Sequence, residues 1–309
     1  MQDLIIQQGT FAPLTNTTED NGALYIYDYA TDNAGIPIRI TLTGASAPTD
    51  FHPLGIEFDA PTSTLYVINH SRFSGSVLEI FHLDIATAIA THRQTFRHTL
   101  LHAPNAIHIL GPGKLYITND HFLRAAVSPF LSKVESFSGL PGGTVVYVDI
   151  ATSSAKVVSR LPFANGVVAL NTSTLVVASS TKPGLYFYTM NKDHSLTFSH
   201  YLRTSSGPDN LSLDKSTGRL MIAGHPFAPG LMQVSKGRPE CDSEGEKKEC
   251  GCWTGSWVAS WSEEEGVKTL MLSGGEQGVC SSSTAVRDGG RGVGFVSMLY
   301  GKGIVVFKG

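Results

Sequence analysis

Short runs of alternating or β-branched apolar residues, bounded by Gly, Pro, Asn and Ser, fill this chain, and a sustained 3.6-residue period is almost absent. The pattern predicts an all-β protein. A two-strand unit recurs within it: a short strand entered from a Pro or Asn turn, then a second strand of the Leu-Tyr-Val type about ten residues on. The first copy is Pro53-Leu54-Gly55-Ile56-Glu57-Phe58 with Leu65-Tyr66-Val67-Ile68-Asn69-His70, and the second is Pro104-Asn105-Ala106-Ile107 with Leu115-Tyr116-Ile117-Thr118-Asn119-Asp120-His121. Ala164-Asn165-Gly166-Val167 with Leu175-Val176-Val177-Ala178, and Asp209-Asn210-Leu211-Ser212 with Leu220-Met221-Ile222-Ala223-Gly224-His225, continue the series.

Each pair is followed by further strand, as in Val77-Leu78-Glu79-Ile80-Phe81 and Leu185-Tyr186-Phe187-Tyr188, so the unit reads as a four-stranded blade. Leu54, Asn105, Asn165 and Asn210 then recur at intervals of 51, 60 and 45 residues, the length of a propeller blade with its loops. A fifth unit falls on Ser281-Ser282-Ser283-Thr284-Ala285 and Gly294-Phe295-Val296-Ser297. A sixth would form if Ala23-Leu24-Tyr25-Ile26-Tyr27 and the terminal Ile304-Val305-Val306-Phe307 share one closing blade, which would also hide two aggregation-prone edges. The expectation is one six-bladed β-propeller domain over residues 1–309, with four-stranded blades and the terminal strands closing the ring.

Composition agrees with a large packed core: 41% of residues are hydrophobic and 16% charged. A formal charge of -3, with no basic run longer than Lys247-Lys248, excludes a phosphate-backbone footprint and so argues against nucleic acid. No apolar stretch is long enough to predict a transmembrane helix. Residues 1–13 lack a basic segment followed by an apolar one, and Leu4 to Gln8 already read as strand, the pattern of a trimmed mature form.

Cys241, Cys250, Cys252 and Cys280 cluster late in the chain, three of them in a loop insertion over 236–262. Two disulfides, free thiols and a metal site are all compatible with the spacing, although Cys-x8-Cys-x-Cys is not a usual zinc pattern. Disulfides, with Asn-x-Ser/Thr triplets at Asn16, Asn69, Asn171 and Asn210, suit a secreted protein or the secretory lumen; without them the expectation is cytoplasmic.

In a propeller the turn into each blade's first strand presents its side chains at one mouth of the central channel. Here those turns supply Asn105, Asn165, Asp209 and Asn210, hard oxygen donors suited to one Ca²⁺. The ordinary alternative is that Asn and Asp simply serve the turns.

Taken in order, Val67-Ile68-Asn69-His70, Ser76-Val77-Leu78-Glu79-Ile80-Phe81, Thr118-Asn119-Asp120-His121, Phe163-Ala164-Asn165-Gly166, Asp209-Asn210-Leu211-Ser212-Leu213-Asp214 and His225-Pro226 resemble the paraoxonase family of calcium-dependent lactonases and arylesterases, and more distantly gluconolactonase-type propellers. The resemblance implies that Asn105, Asn165, Asp209 and Asn210 hold a catalytic calcium, with one further acidic ligand missing here. Ala106 stands where an acidic residue would serve a second, structural calcium, so none is expected. It also implies a pair of water-activating histidines at positions 54 and 70; Leu54 occupies the first, His70 keeps the second, and His52 is the substitute within reach. His121 and His225 join them as candidate catalytic donors, and Leu54, Asn105, Asn165, Asn119 and Asp120 as the lining for a small apolar substrate.

With one histidine replaced and one metal ligand missing, the leading expectation is a pocket that outlived hydrolysis: a natural-product tailoring enzyme that closes a ring in a polyketide or terpenoid by a cofactor-free, hetero-Diels-Alder-type step. The alternatives are a calcium-dependent lactonase or arylesterase using His70 or His52, and a non-catalytic binding propeller.

Overall fold

A computed structural model describes residues 3–8, 21–30, 36–123, 128–237, 254–275, 279–301 and 303–308. Two compact units emerge, one of residues 1–135 and 142–160, the other of 136–141 and 161–309.

In the first unit, β1 (Asp3–Gln8), β2 (Ala23–Asp28) and β3 (Ile38–Arg39) form a three-stranded sheet. Next come β4 (Thr41–Thr43), β5 (Pro53–Asp59), β6 (Thr64–Ser71), β7 (Gly75–Asp84) and β8 (Ile89–Phe96), where β5 to β8 make an antiparallel meander and β4 adds to β8 in parallel. A second meander comprises β9 (Pro104–Gly111), β10 (Lys114–Asn119), β11 (Gly143–Asp149) and β12 (Ser154–Leu161), with the helix α1 (Pro129–Ser138) between β10 and β11.

The second unit repeats the pattern in β13 (Ala164–Ala169), β14 (Thr174–Ser179), β15 (Gly184–Met190) and β16 (Leu196–Arg203). It continues in β17 (Gly207–Asp214), β18 (Arg219–His225), β19 (Ser256–Ser262) and β20 (Gly266–Ser273), with α2 (Ala228–Gly237) after β18. It ends in the three strands β21 (Ser282–Asp288), β22 (Val293–Met298) and β23 (Val305–Lys308).

This is an all-β propeller fold, but with five copies of the blade meander among the described residues rather than six. The expected closing blade is not formed either: β2 pairs with β1 and β3, and β23 pairs with β22, so the two terminal segments lie in separate sheets. Sequence periodicity could find strands, but it could not say which edge each terminal strand would pair with. The described residues also show no helix long and apolar enough to cross a membrane.

The middle of each blade's second strand is a run of apolar residues because it is covered on both faces. Tyr66 and Ile68 pack toward β9 to β11, while Leu65 and Val67 pack toward Leu24, Ile26 and Ile40. In the second unit Ile222 faces Phe187 and Trp257, whereas Met221 and Ala223 face Ala285 and Val296. Each such side chain contributes about 1.5–3 kcal/mol on burial, which makes these strands the rigid frame for whatever stands at their ends.

Candidate functional site

Every blade copy carries a β-bulge in its first strand, and the bulges fall on the turn residues picked out by the repeat. Pro53 pairs with Asn69 and Ile56 with Val67, so β5 holds one residue more than β6 across Leu54 and Gly55. The same surplus spans Asn105 and Ala106 in β9, Asn165 and Gly166 in β13, Asp209 and Asn210 in β17, and Ser283 in β21. A bulge turns side chains out of the regular alternation. The Asn and Asp side chains are thus set by the frame rather than by a loose loop.

Within each unit, successive bulges touch. A Cβ placed on Gly55 would collide with the Asn105 carbonyl, and one on Gly166 would sit 2.6 Å from the Leu211 nitrogen and 2.7 Å from the Asn210 Cα. Leu54 and Asn105 are therefore neighbours in the first unit, and Asn165 neighbours Asp209 and Asn210 in the second.

The first unit gathers a histidine group. His52 is fully buried; its Nε2 meets Asp50 Oδ1 at 3.0 Å, and its Nδ1 has no hydrogen-bond partner among the described residues. Asp50 also accepts from Ser71 Oγ at 2.8 Å and from the Arg72 amide and Nε at 2.6 and 2.8 Å. Burial opposes ionisation of Asp50, but these bonds outweigh it and hold the carboxyl well below its ordinary range. The Asp50 carboxylate thus accepts from His52 Nε2 and orients the ring.

His70 closes the next strand end, donating its amide to the His52 carbonyl at 3.0 Å. Its Nδ1 lies 2.9 Å from Ser76 Oγ, while Nε2 is buried with no partner among the described residues. Burial lowers its pKa, opposed by the Asp120 charge and the Pro104 backbone and aided by the charge of His52. The ring is neutral at pH 7.

His121 behaves oppositely. Burial disfavours its charge, but the Asp120 Oδ1 contact at 3.0 Å, with the Glu135 charge behind it, raises its pKa. Glu135 reaches over from α1 and accepts the Phe122 and Leu123 amides at 2.8 and 2.6 Å. Phe122 and Leu123, which follow His121 and are held by Glu135, leave apolar surface exposed.

Two expected lining residues are committed elsewhere. Asn119 is fully buried, donating to the Leu100 carbonyl and Thr144 Oγ1 and accepting the Ala103 amide at 3.1 Å. Leu54 packs against the core around Tyr66 and Ile68.

The second unit holds the oxygen donors. Asn165 donates Nδ2 to Ser180 Oγ at 2.9 Å, and its Oδ1 is buried without a partner among the described residues. Asp209 Oδ2 lies 3.2 Å from His225 Nε2, and His225 Nδ1 lies 2.9 Å from Ser281 Oγ. Asn210 Nδ2 donates to Ser283 Oγ at 3.2 Å. An orphaned amide oxygen beside a carboxylate and a second amide fits a hard cation such as calcium. No group of three His, Cys, Asp or Glu side chains suited to a metal occurs among the described residues.

The repeat thus located His70, Asn105, Asn165, Asp209, Asn210 and His225 at strand ends and bulges, but it missed Asp50 and Ser281. Asp50 stands in a turn outside the repeat. Ser281 precedes its strand with φ at 58°, a conformation that composition does not signal in a run of serines. Of the cysteines, Cys280 is buried, and Cys241, Cys250 and Cys252 lie outside the described residues, as does most of the 236–262 insertion.

Residues 9–243 match the family model described as Arylesterase. Human serum paraoxonase/arylesterase 2 is 30% identical over 194 residues, 61% of this chain and 53% of that protein. Rabbit serum paraoxonase/lactonase 3 is 28% identical over 234 residues, 74% of this chain and 63% of the relative. The matches span about half to two thirds of these relatives' length. A solved gluconolactonase from Xanthomonas campestris superposes with a TM-score of 0.55 at 14% identity, covering 93% of this chain and 78% of that one, which is a likeness of fold.

Proposed function

This chain belongs to the arylesterase family, and from that premise we propose that it hydrolyses esters or lactones of small apolar acids. The expectation of a ring-closing enzyme finds no support among its relatives, whose names carry arylesterase and lactonase activities. The observation that carries the hydrolytic reading is His70: a buried ring, neutral at pH 7, held at Nδ1 by Ser76 Oγ and lying beside the Pro104 backbone.

In this reading a water bound at His70 Nε2 loses its proton to the ring as its oxygen adds to the acyl carbon. The leaving oxygen then takes a proton. Leu54 removes the first histidine of the family pair, and His52 stands in as a second acceptor, its ring oriented by Asp50 as a carboxylate orients a catalytic imidazole. The cation of the family would be held by Asn165, Asp209 and Asn210. When bound it polarises the substrate carbonyl. The exposed Phe122 and Leu123 next to His121 suit an apolar acyl or aryl group. The serum origin in the relatives' names is in keeping with a secretory route for this chain.

The test is turnover of a panel of aryl acetates and lactones by wild type and His70→Gln, with and without EGTA. Hydrolysis that falls about 10²–10⁴-fold in His70→Gln supports the assignment. Folded protein inert toward the whole panel overturns it and leaves the non-catalytic binding propeller; turnover indifferent to His70→Gln removes that residue from the chemistry. Loss in EGTA, restored by Ca²⁺, supports the cation.

A further inference from the structure

A serine, a histidine and a glutamate of the first unit stand in line outside the site described above. Glu79 projects from β7 and His92 from β8, and Ser46 sits on the turn that follows β4. Glu79 Oε2 lies 2.9 Å from His92 Nε2, and His92 Nδ1 lies 2.9 Å from Ser46 Oγ. In the neutral ring the carboxylate takes the N–H at Nε2, which leaves Nδ1 to accept from the hydroxyl. The order is nucleophile, base and orienting acid, with the two ring nitrogens exchanged relative to the familiar serine hydrolases.

The acid and base are held in the core while the serine faces solvent. The His92 and Glu79 side chains are 1% and 4% exposed, Glu79 also accepts from Thr95 Oγ1 and Asn69 Nδ2, and Phe81 meets the His92 ring edge-on with centroids 5.2 Å apart. Ser46 is exposed. Its turn is closed by the Ala47 amide on the Gly44 carbonyl at 3.1 Å, and Gly44 has a φ of 110°, which favours glycine. A Cβ on Gly44 would also stand 3.2 Å from the His92 carbonyl oxygen, so glycine is what lets the turn lie this close to the strand of the base. The amides of Ala45 and Ser46 have no hydrogen-bond partner among the described residues, which leaves two donors for an oxyanion.

Beside the turn lies a cavity of about 360 Å³, with Leu24, Ile40, Leu42, Pro48 and Phe51 forming the apolar part of its lining. The chain leaves this lining at Leu42 and rejoins it at Pro48. Ser46 therefore stands no more than about 7 Å, two residues of extended chain, from the cavity wall.

We propose that Ser46 is a nucleophile activated by His92 and Glu79, a covalent acyl-transfer site for esters of small apolar acids that uses neither His70 nor a cation. Ser46 Oγ adds to the acyl carbon, its proton passing to His92 Nδ1, and the carbonyl electron pair moves to oxygen. Collapse re-forms the carbonyl and breaks the bond to the alkoxide or phenoxide, which leaves with the proton from Nδ1. Water then adds to the acyl-serine, giving its proton to Nδ1, and that proton returns to Ser46 Oγ as the acid is released.

The experiment is intact-mass and peptide-mapping analysis of the full chain treated with diisopropyl fluorophosphate. The reagent forms a P–O bond to serine, loses fluoride, and delivers the serine proton to the base. One adduct mapped to Ser46, absent in Ser46→Ala and formed at least about 10²-fold more slowly in His92→Gln, is the expected result. Ser199 supplies a control within the wild-type chain should the buried substitution fail to fold. It is exposed with its Oγ 3.1 Å from His200 Nδ1, but among the described residues no carboxylate stands behind that ring. Ser46 is expected to label at least about 10²-fold faster than Ser199. No adduct, an adduct on another residue, labelling of Ser199 as fast as Ser46, or an unchanged rate in folded His92→Gln would overturn the proposal. The adduct is read by mass and is expected to form equally in EGTA, whereas ester turnover that survives in Ser46→Ala belongs to the His70 reading, so the two fail separately.

Discussion

Asn69 and Asn119 do the same work in consecutive blades. Each stands at or near the end of a second strand, and each accepts the amide of the preceding turn at Oδ1, His52 at 2.8 Å for Asn69 and Ala103 at 3.1 Å for Asn119. Each also donates to that turn and to the third strand, Asn69 to the Asp50 carbonyl and Glu79, Asn119 to the Leu100 carbonyl and Thr144. The asparagine of the Leu-Tyr-x-x-Asn pattern is a latch that fixes the turn from which the candidate site projects.

Asn119→Ala strands a buried amide, a carbonyl and a hydroxyl, and is expected to lower the unfolding free energy by roughly 2–4 kcal/mol in urea titrations. Asn69 has 1% of its surface exposed, so peptide mapping after expression in a secreting eukaryotic host should find its Asn-His-Ser triplet unglycosylated.

Gly166 tests the contact between bulges. An alanine Cβ there has the Leu211 amide 2.6 Å away and the Asp209 carbonyl 2.7 Å away, both backbone atoms that cannot rotate aside. Gly166→Ala should cost about 1–3 kcal/mol and weaken terbium luminescence titrations if Asn165, Asp209 and Asn210 share a cation. Gly111→Ala, where a Cβ meets nothing within 4 Å, should change stability by less than about 0.5 kcal/mol.

The blade meander was legible because its second strand is buried on both faces and so spells an unbroken apolar run, as Leu65 to Ile68 do. Equating Leu54, Asn105, Asn165 and Asn210 by spacing also led to the bulges, although the strand register makes Asp209 rather than Asn210 the fourth equivalent. The pairing of the termini was not legible: β2 and β23 have equally good strand sequences, and only their neighbours decide the edge. Nor were the side-chain partners. Asn119 reads like a channel-lining amide but is consumed internally, whereas Asp50, unremarked in its Pro-Thr-Asp turn, organises Ser71, Arg72 and His52.

His70 and His121 impose opposite pH dependences on stability, because burial lowers one pKa while Asp120, with Glu135 behind it, raises the other. For His70 the folded chain resists a proton that the unfolded chain accepts near 6.5, so stability is lost as pH falls below that value. For His121 the folded chain holds its proton more tightly, so that contribution is complete below 6.5 and fades as pH rises through the raised value. Melting temperatures of wild type, His70→Gln and His121→Gln from about pH 5 to 9 separate the two. The His70→Gln curve should gain on wild type as the solution is acidified. The His121→Gln curve should lie below wild type in acid and approach it in alkali. Parallel curves for either variant would mean that its imidazole titrates alike in the folded and unfolded chain, contrary to the buried and ion-paired settings described for them.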